Sequence, residues 1–116
     1  MKTSRESSAL HRFVMEIQQH YAGRLVDVYR INRRHLLEDA DQNEVEIAVL
    51  LKDGAWRQID ESRELTRLAF SVLLETEVYI RAWPVSSRGW EEPSAAAYPD
   101  LVREFKRHAE PIQEAA

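Results

Sequence analysis

The sequence predicts a single α/β (α+β) domain of 116 residues in which helices cover a small mixed sheet. Three observations carry this. Short runs of strand formers alternate with longer stretches whose apolar residues recur at helical spacing. The order they give is helix, strand, strand, helix, strand, helix, the layered pattern of sheet and covering helices. The composition, 44% hydrophobic and 31% charged, is that of a chain able to bury one core.

The first helix is expected from Thr3 to Ala22. Thr3 followed by Glu6 has the form of a capping box, and Leu10, Phe13, Val14, Ile17 and Tyr21 form one apolar stripe. Gly23 is placed to end it as a C-cap. Leu25–Ile31 (LVDVYRI) alternates and predicts the first strand. Val45–Leu51 is a continuous apolar run of strand length, the pattern of a strand buried on both faces, closed by the turn signal Lys52-Asp53-Gly54. Leu65, Leu68, Ala69, Val72 and Leu73 mark a second helix from about Asp60 to Glu75. Val78–Trp83 alternates again, with Val78, Ile80 and Ala82 on one face and Tyr79, Arg81 and Trp83 on the other; Pro84 is expected to end it. Residues 86–97 read as a polar connection. The last helix begins near Pro99, with Leu101, Val102, Phe105 and Ala109 inward, and stops at Pro111.

Composition excludes several classes of chemistry. The net charge of −4 does not suit a generic polyanion binder, so nucleic acid is not an expected partner. The basic residues are thirteen Arg against three Lys, which fits either phosphate and carboxylate contacts or a GC-rich coding bias. Without cysteine there are no disulfides, thiolate metal sites or cysteine nucleophiles. The longest apolar run, Ile47–Leu51, falls far short of the roughly 20 residues that span a bilayer. The first ten residues hold no signal-peptide core, so the expected location is cytoplasmic.

The candidate site lies in Val28–Leu51, VYRINRRHLLEDADQNEVEIAVLL. Glu44 and Glu46 are two apart at the entrance of a strand, so both side chains point to one face and together could hold a cation. Their plain alternative is a solvated strand end. Arg30, Arg33, Arg34 and His35 make a basic cluster in the connection, either a solvated loop or a contact for a nucleotide, RNA or acidic partner. Trp56, Trp83 and Trp90 are candidates for an interface, and Trp83 also for filling a cleft beside Arg81. His11, His20 and His35 have no zinc-ligand spacing. Arg103 and His108 share the Arg-then-His spacing of HEPN ribonucleases, but so do Arg30 and His35, and the strand run VEIAVLL speaks against an all-helical fold.

Aligned without gaps, this segment resembles the signature of the minimal nucleotidyltransferases of the polymerase-beta-like superfamily, VYLFGSRARG…SDIDLLV. Ile80–Ser86 (IRAWPVS) is similar to the later family strand VDLVPVS, so the resemblance runs over roughly residues 10 to 112. It implies a nucleotidyltransferase-like fold and, in active members, carboxylates holding Mg²⁺ ions that bridge the triphosphate of ATP. Glu44 and Glu46 stand where the family has two aspartates, as vestigial catalytic and metal-binding candidates. Asn32 and Arg33 stand at its phosphate-binding Gly-Ser pair. Arg81 stands at its third carboxylate.

Each departure bears on activity. The Glu pair moves each carboxylate one methylene outward, and a misplacement of about 1 Å can cost roughly 100-fold in a reaction governed by positioning. Asn32 suits a left-handed turn but adds bulk. Arg33 either contacts a phosphate or fills the pocket. Arg81 competes with metal for the carboxylates, and it is expected to pair with Glu46, Glu44 or both. The leading expectation is a degenerate active site in a non-catalytic, antitoxin-like or protein-binding module that needs no cofactor. Its partner would be a HEPN-type toxin, as in toxin–antitoxin pairs of this family, or a second copy of the chain. The alternative is an active Mg²⁺-dependent transferase moving AMP from ATP onto a protein or RNA.

Overall fold

The computed structural model describes residues 2–33 and 44–112. Helix α1 spans Lys2–Tyr21. Its predicted stripe, Leu10, Phe13, Val14, Ile17 and Tyr21, is buried, and Ala9 joins it. The expected capping box rests on the Thr3 side chain, which lies outside the described residues. The helix leaves through a 3₁₀ turn, Ala22–Arg24, in which Ala22 and not Gly23 takes the left-handed backbone, at φ 48°. The C-cap glycine expected at 23 is therefore displaced by one residue, and an alanine bears the Cβ crowding of that conformation.

Strand β1 (Leu25–Ile31) pairs antiparallel with β2 (Glu44–Leu51), with a bulge between Leu25 and Asp27. Helix α2 (Gln58–Thr76) buries Leu65, Leu68, Ala69 and Val72. It ends on Glu77, whose φ of 62° lets its N–H reach the Leu73 carbonyl, an αL cap. The crossover through α2 returns the chain to β3 (Tyr79–Ser86), which runs parallel to β2 from Glu44↔Tyr79 to Leu51↔Ser86.

Two expectations about proline are corrected here. Pro84 does not end its strand; it sits inside β3 opposite Val49. The sheet order β3-β2-β1-β4 makes β3 an edge, where a residue without an N–H is tolerated. The Pro84 carbonyl accepts from Gln58 Nε2 at 2.8 Å. Pro111 does not merely follow the last helix either. It belongs to β4 (Ala109–Pro111), a three-residue strand that covers the end of β1 from Ile31↔Ala109 to Tyr29↔Pro111. Residues 86–97 are also more ordered than a plain connection: they hold the short helix α3 (Ser87–Glu91) and a 3₁₀ turn, Pro93–Ala95. Helix α4 spans Pro99–His108 and buries Val102 and Phe105, with Leu101 and Ala109 half-buried.

The result is a mixed α+β layer with a core on each face of one four-stranded sheet. On one face α1 and α2 pack against Val45, Ile47, Val49, Leu51 and Ile80. On the other, α4 covers Ile31, Ala48, Leu50 and Val85. Strand β2 is thus buried on both faces, as its unbroken apolar run predicts. Among the described residues no helix is long and apolar enough to cross a membrane.

Candidate functional site

Alternation along β2 sends Val45, Ile47 and Val49 to the α1/α2 face and Ala48 and Leu50 to the α4 face. Glu44 and Glu46 share the α4 face, at the end of the strand that follows the connection. Parallel pairing sets Arg81 beside Glu46 and Trp83 beside Ala48. The candidate carboxylates and Arg81 are therefore brought to one place, together with Arg33 from just beyond β1.

Both carboxylates are held by arginines. Arg33 grips Glu46 with two bonds, Nε to Oε1 at 2.7 Å and Nη2 to Oε2 at 2.9 Å. Trp83 Nε1 donates to the same Oε2 at 2.8 Å. The pair is largely out of water: the Arg33 and Glu46 side chains are 18% and 11% exposed. The Arg33 guanidinium also lies over the Phe105 ring, 5.1 Å from its centre. This adds cation–π attraction at a partly desolvated site. The bonds to Glu46 raise the Arg33 pKa further above its ordinary value, against the opposing effect of burial. A two-bond fork fixes both partners' geometry, which a single contact does not.

Arg81 pairs with Glu44, Nε and Nη2 both 2.6 Å from Oε1. The expected ion pair thus forms to the farther glutamate, while Arg33 takes the nearer. The Arg81 pair is more open, its side chains 52% and 23% exposed. Asn32 goes elsewhere. Its Nδ2 donates to Glu110 at 3.1 Å and its backbone N–H to the His108 carbonyl at 2.8 Å, tying β1 to β4. It does not take the left-handed backbone that the Gly-to-Asn comparison allows. Arg34 and His35 of the basic cluster lie outside the described residues, and Arg30 pairs with Glu6 at 3.3 Å.

Among the described residues, Arg103, His108 and Trp90 are engaged away from the two carboxylates. Arg103 bonds Asp100 and His108 contacts Glu104, both along α4 itself. Trp90 stacks on Tyr29 at 5.1 Å. Trp83, a candidate for filling the cleft because it shares a strand face with Arg81, does reach this site through Glu46. Phe105 was the residue least legible as part of it, with no signal beyond its core spacing.

The donor set does not fit a divalent metal. Mg²⁺ requires near-octahedral oxygen ligands at about 2.1 Å. Both Glu46 oxygens accept bonds from Arg33, and Oε1 of Glu44 accepts one from Arg81 Nε with Nη2 of the same guanidinium in ion-pair contact. Among the described residues no group of three or more His, Asp or Glu side chains is arranged to hold a metal ion. Two cations placed at two carboxylates neutralise the charge that a metal would need. Chemically, the arrangement is a latch between the end of β1, β2, β3 and α4. Comparison with models of known families, with curated proteins and with solved structures found no match to this chain.

Proposed function

We propose that the chain is a non-catalytic binding module of nucleotidyltransferase-like fold, antitoxin-like in action, which neutralises or holds a protein partner by surface complementarity. The partner class that the resemblance implies is a helical HEPN-type toxin. The observation that carries this reading is the pair of arginine latches: Arg33 on Glu46 and Arg81 on Glu44 occupy the carboxylates that a transferase would give to metal. Exposed apolar side chains support a role in binding protein. Phe70 and Leu74, one turn apart on α2, are 54% and 70% exposed.

Calorimetric titration of ATP into the purified chain, with and without Mg²⁺, tests the catalytic side of this reading. The expected result is no heat in either condition. Metal-dependent binding at micromolar ATP overturns the proposal and turns the search to the acceptor that receives AMP. A second experiment asks whether the latches alone block metal. Arg81→Asp with Glu44→Asp and Glu46→Asp leaves Arg33 in place, so it is expected to gain little Mn²⁺ affinity. Adding Arg33→Ser is expected to give the gain.

A further inference from the structure

On the α4 face, past the latch, lies a groove of about 340 Å³ with Trp56, Trp83, Tyr98 and Phe105 among its walls and Arg88 and Asp53 at its lip. We propose that this groove binds a small aromatic carboxylate, with its ring among the aromatic side chains and its carboxylate on the Arg88 guanidinium. This site is distinct from Glu44 and Glu46, and the proposal holds whether or not those residues are catalytic.

Four observations lead to that ligand class. The first is place. The lining includes Val85 and Ser86, the last residues of β3, and Asp53, two residues past the end of β2. In open α/β sheets ligands bind outside the carboxyl ends of parallel strands, and β2 and β3 are the parallel pair here. The second is size. Ligand pockets range over roughly 300–1,000 Å³, so a groove of about 340 Å³ is of the size that one ring with a short side chain fills.

The third is the state of the aromatic walls. Both indole N–H groups are already used: Trp56 Nε1 donates to the Lys52 carbonyl at 2.9 Å and Trp83 Nε1 to Glu46. These bonds pin the two rings, so stacking a planar ligand on them costs little further side-chain freedom. The last is charge. Among the described residues, every arginine except Arg63 and Arg88 pairs with a carboxylate. Of these two, Arg88 is the one that lines a groove.

The lip around Arg88 is fixed by the backbone. The Arg88 N–H donates to Asp53 Oδ1 at 3.1 Å, and the next N–H, of Gly89, donates to Ser86 Oγ at 2.9 Å. Gly89 itself is pressed on the groove wall: a Cβ there would lie 2.9 Å from the Ala96 Cβ. Asp53 also sets the ligand's charge. A carboxylate at the same lip repels a dianionic phosphate more than a single carboxylate, so a monoanion is favoured.

The test is an amide and indole NMR shift titration of the whole chain with trans-cinnamate, uncharged cinnamamide and inorganic phosphate as probes. Cinnamate is expected to move the Trp56 and Trp83 indole signals and the amides of 95–102, with a dissociation constant under about 1 mM. Arg88→Met should weaken cinnamate by about tenfold or more, the loss of a charge-assisted bond, and leave cinnamamide as it was. Ala96→Leu, which fills the groove, should abolish both while the rest of the spectrum stays native. Any of three results overturns the proposal: no groove shifts with about 10 mM cinnamate, cinnamamide binding as tightly as cinnamate, or phosphate binding at the lip in preference to cinnamate.

Discussion

The two faces of the sheet are built on opposite principles. The α1/α2 face is apolar almost throughout, with Phe13, Ile17, Ile47, Leu51, Leu65 and Ile80 all fully buried. The α4 face has a smaller apolar cluster, and beside it sit a partly desolvated ion pair, an indole hydrogen bond and an open groove. Strand β2 serves both, with Ile47 on one side and Glu46 on the other. The contrast teaches that stability and chemistry are divided by face. Burial on the first face holds the sheet, which lets the second carry charge and unfilled space that a core cannot afford.

The largest expected effect breaks the first face. Ile47→Ala deletes a fully buried side chain between two helices and the sheet, and should cost about 4 kcal/mol in denaturant unfolding. Leu50→Ala, 4% exposed on the α4 face, should cost nearer to about 2 kcal/mol, because a surround bordering a groove can relax into the space. Equal losses would mean that the two faces are packed alike. The next effect belongs to the latch. Arg33→Ala leaves Glu46 charged, with the Trp83 indole of the neighbouring strand still donating to it, and should cost on the order of 3 kcal/mol. Replacing both partners, Arg33→Met with Glu46→Gln, should recover most of that loss, since neither change then strands a charge. A double variant as unstable as Arg33→Ala would show that the latch is worth more than the cost of its own desolvation.

These faces were not equally legible in the sequence. Helical periodicity and the run Val45–Leu51 specify the α1/α2 face, because burial imposes a repeat on every element that faces it. The same logic places Glu44 and Glu46 on one face by their spacing, while Arg81 joins them in the sequence only through the resemblance to the family's third carboxylate position. It cannot say which arginine takes which glutamate. That depends on Arg33, which leaves β1 beyond the last regular residue and reaches 13 positions along the chain to Glu46. Strand β4 was illegible for a related reason. Three residues containing a proline carry no strand signal, and Ala109–Pro111 is extended because β1 offers it an edge. The extension of β3 through Pro84 likewise follows from sheet order, which local sequence does not contain.

A smaller effect is expected at the outer latch. Glu44→Ala and Arg81→Ala should each shift stability by under about 1 kcal/mol, and a double-mutant cycle should show their coupling shrinking as salt is raised. The Arg33–Glu46 coupling, more shielded from solvent, should hold up better in the same series. Similar salt slopes for the two pairs would contradict the difference in their exposure.

The smallest effect at neutral pH lies on the apolar face itself, where one polar atom is out of place. The Tyr21 hydroxyl is buried without a hydrogen bond of good geometry. Burial first, and then the neighbouring Glu61 carboxylate, raise its pKa well above the ordinary value of 10.0. Near pH 7 the phenol is neutral in both folded and unfolded chains, so Tyr21→Phe should change stability by only about a few tenths of a kcal/mol, the desolvation relieved by deleting the hydroxyl offsetting the Glu61 contact that is lost. The sign appears at high pH. A group whose folded pKa is raised contributes its full stability below the unfolded pKa and loses it as pH rises. Above about pH 10 the unfolded chain gives up the Tyr21 proton while the folded chain keeps it, so the wild type should lose stability there. Tyr29, whose pKa is raised chiefly by its bond to Asp27, adds to the same slope, so Tyr21→Phe should flatten the alkaline loss without removing it. Unfolding curves of the two proteins between pH 8 and pH 11 should therefore diverge upward from about pH 10, with the variant the more stable. Curves that stay parallel would show that Tyr21 ionises as readily in the folded chain as in the unfolded one, and that the α1/α2 face is open to water at this helix end.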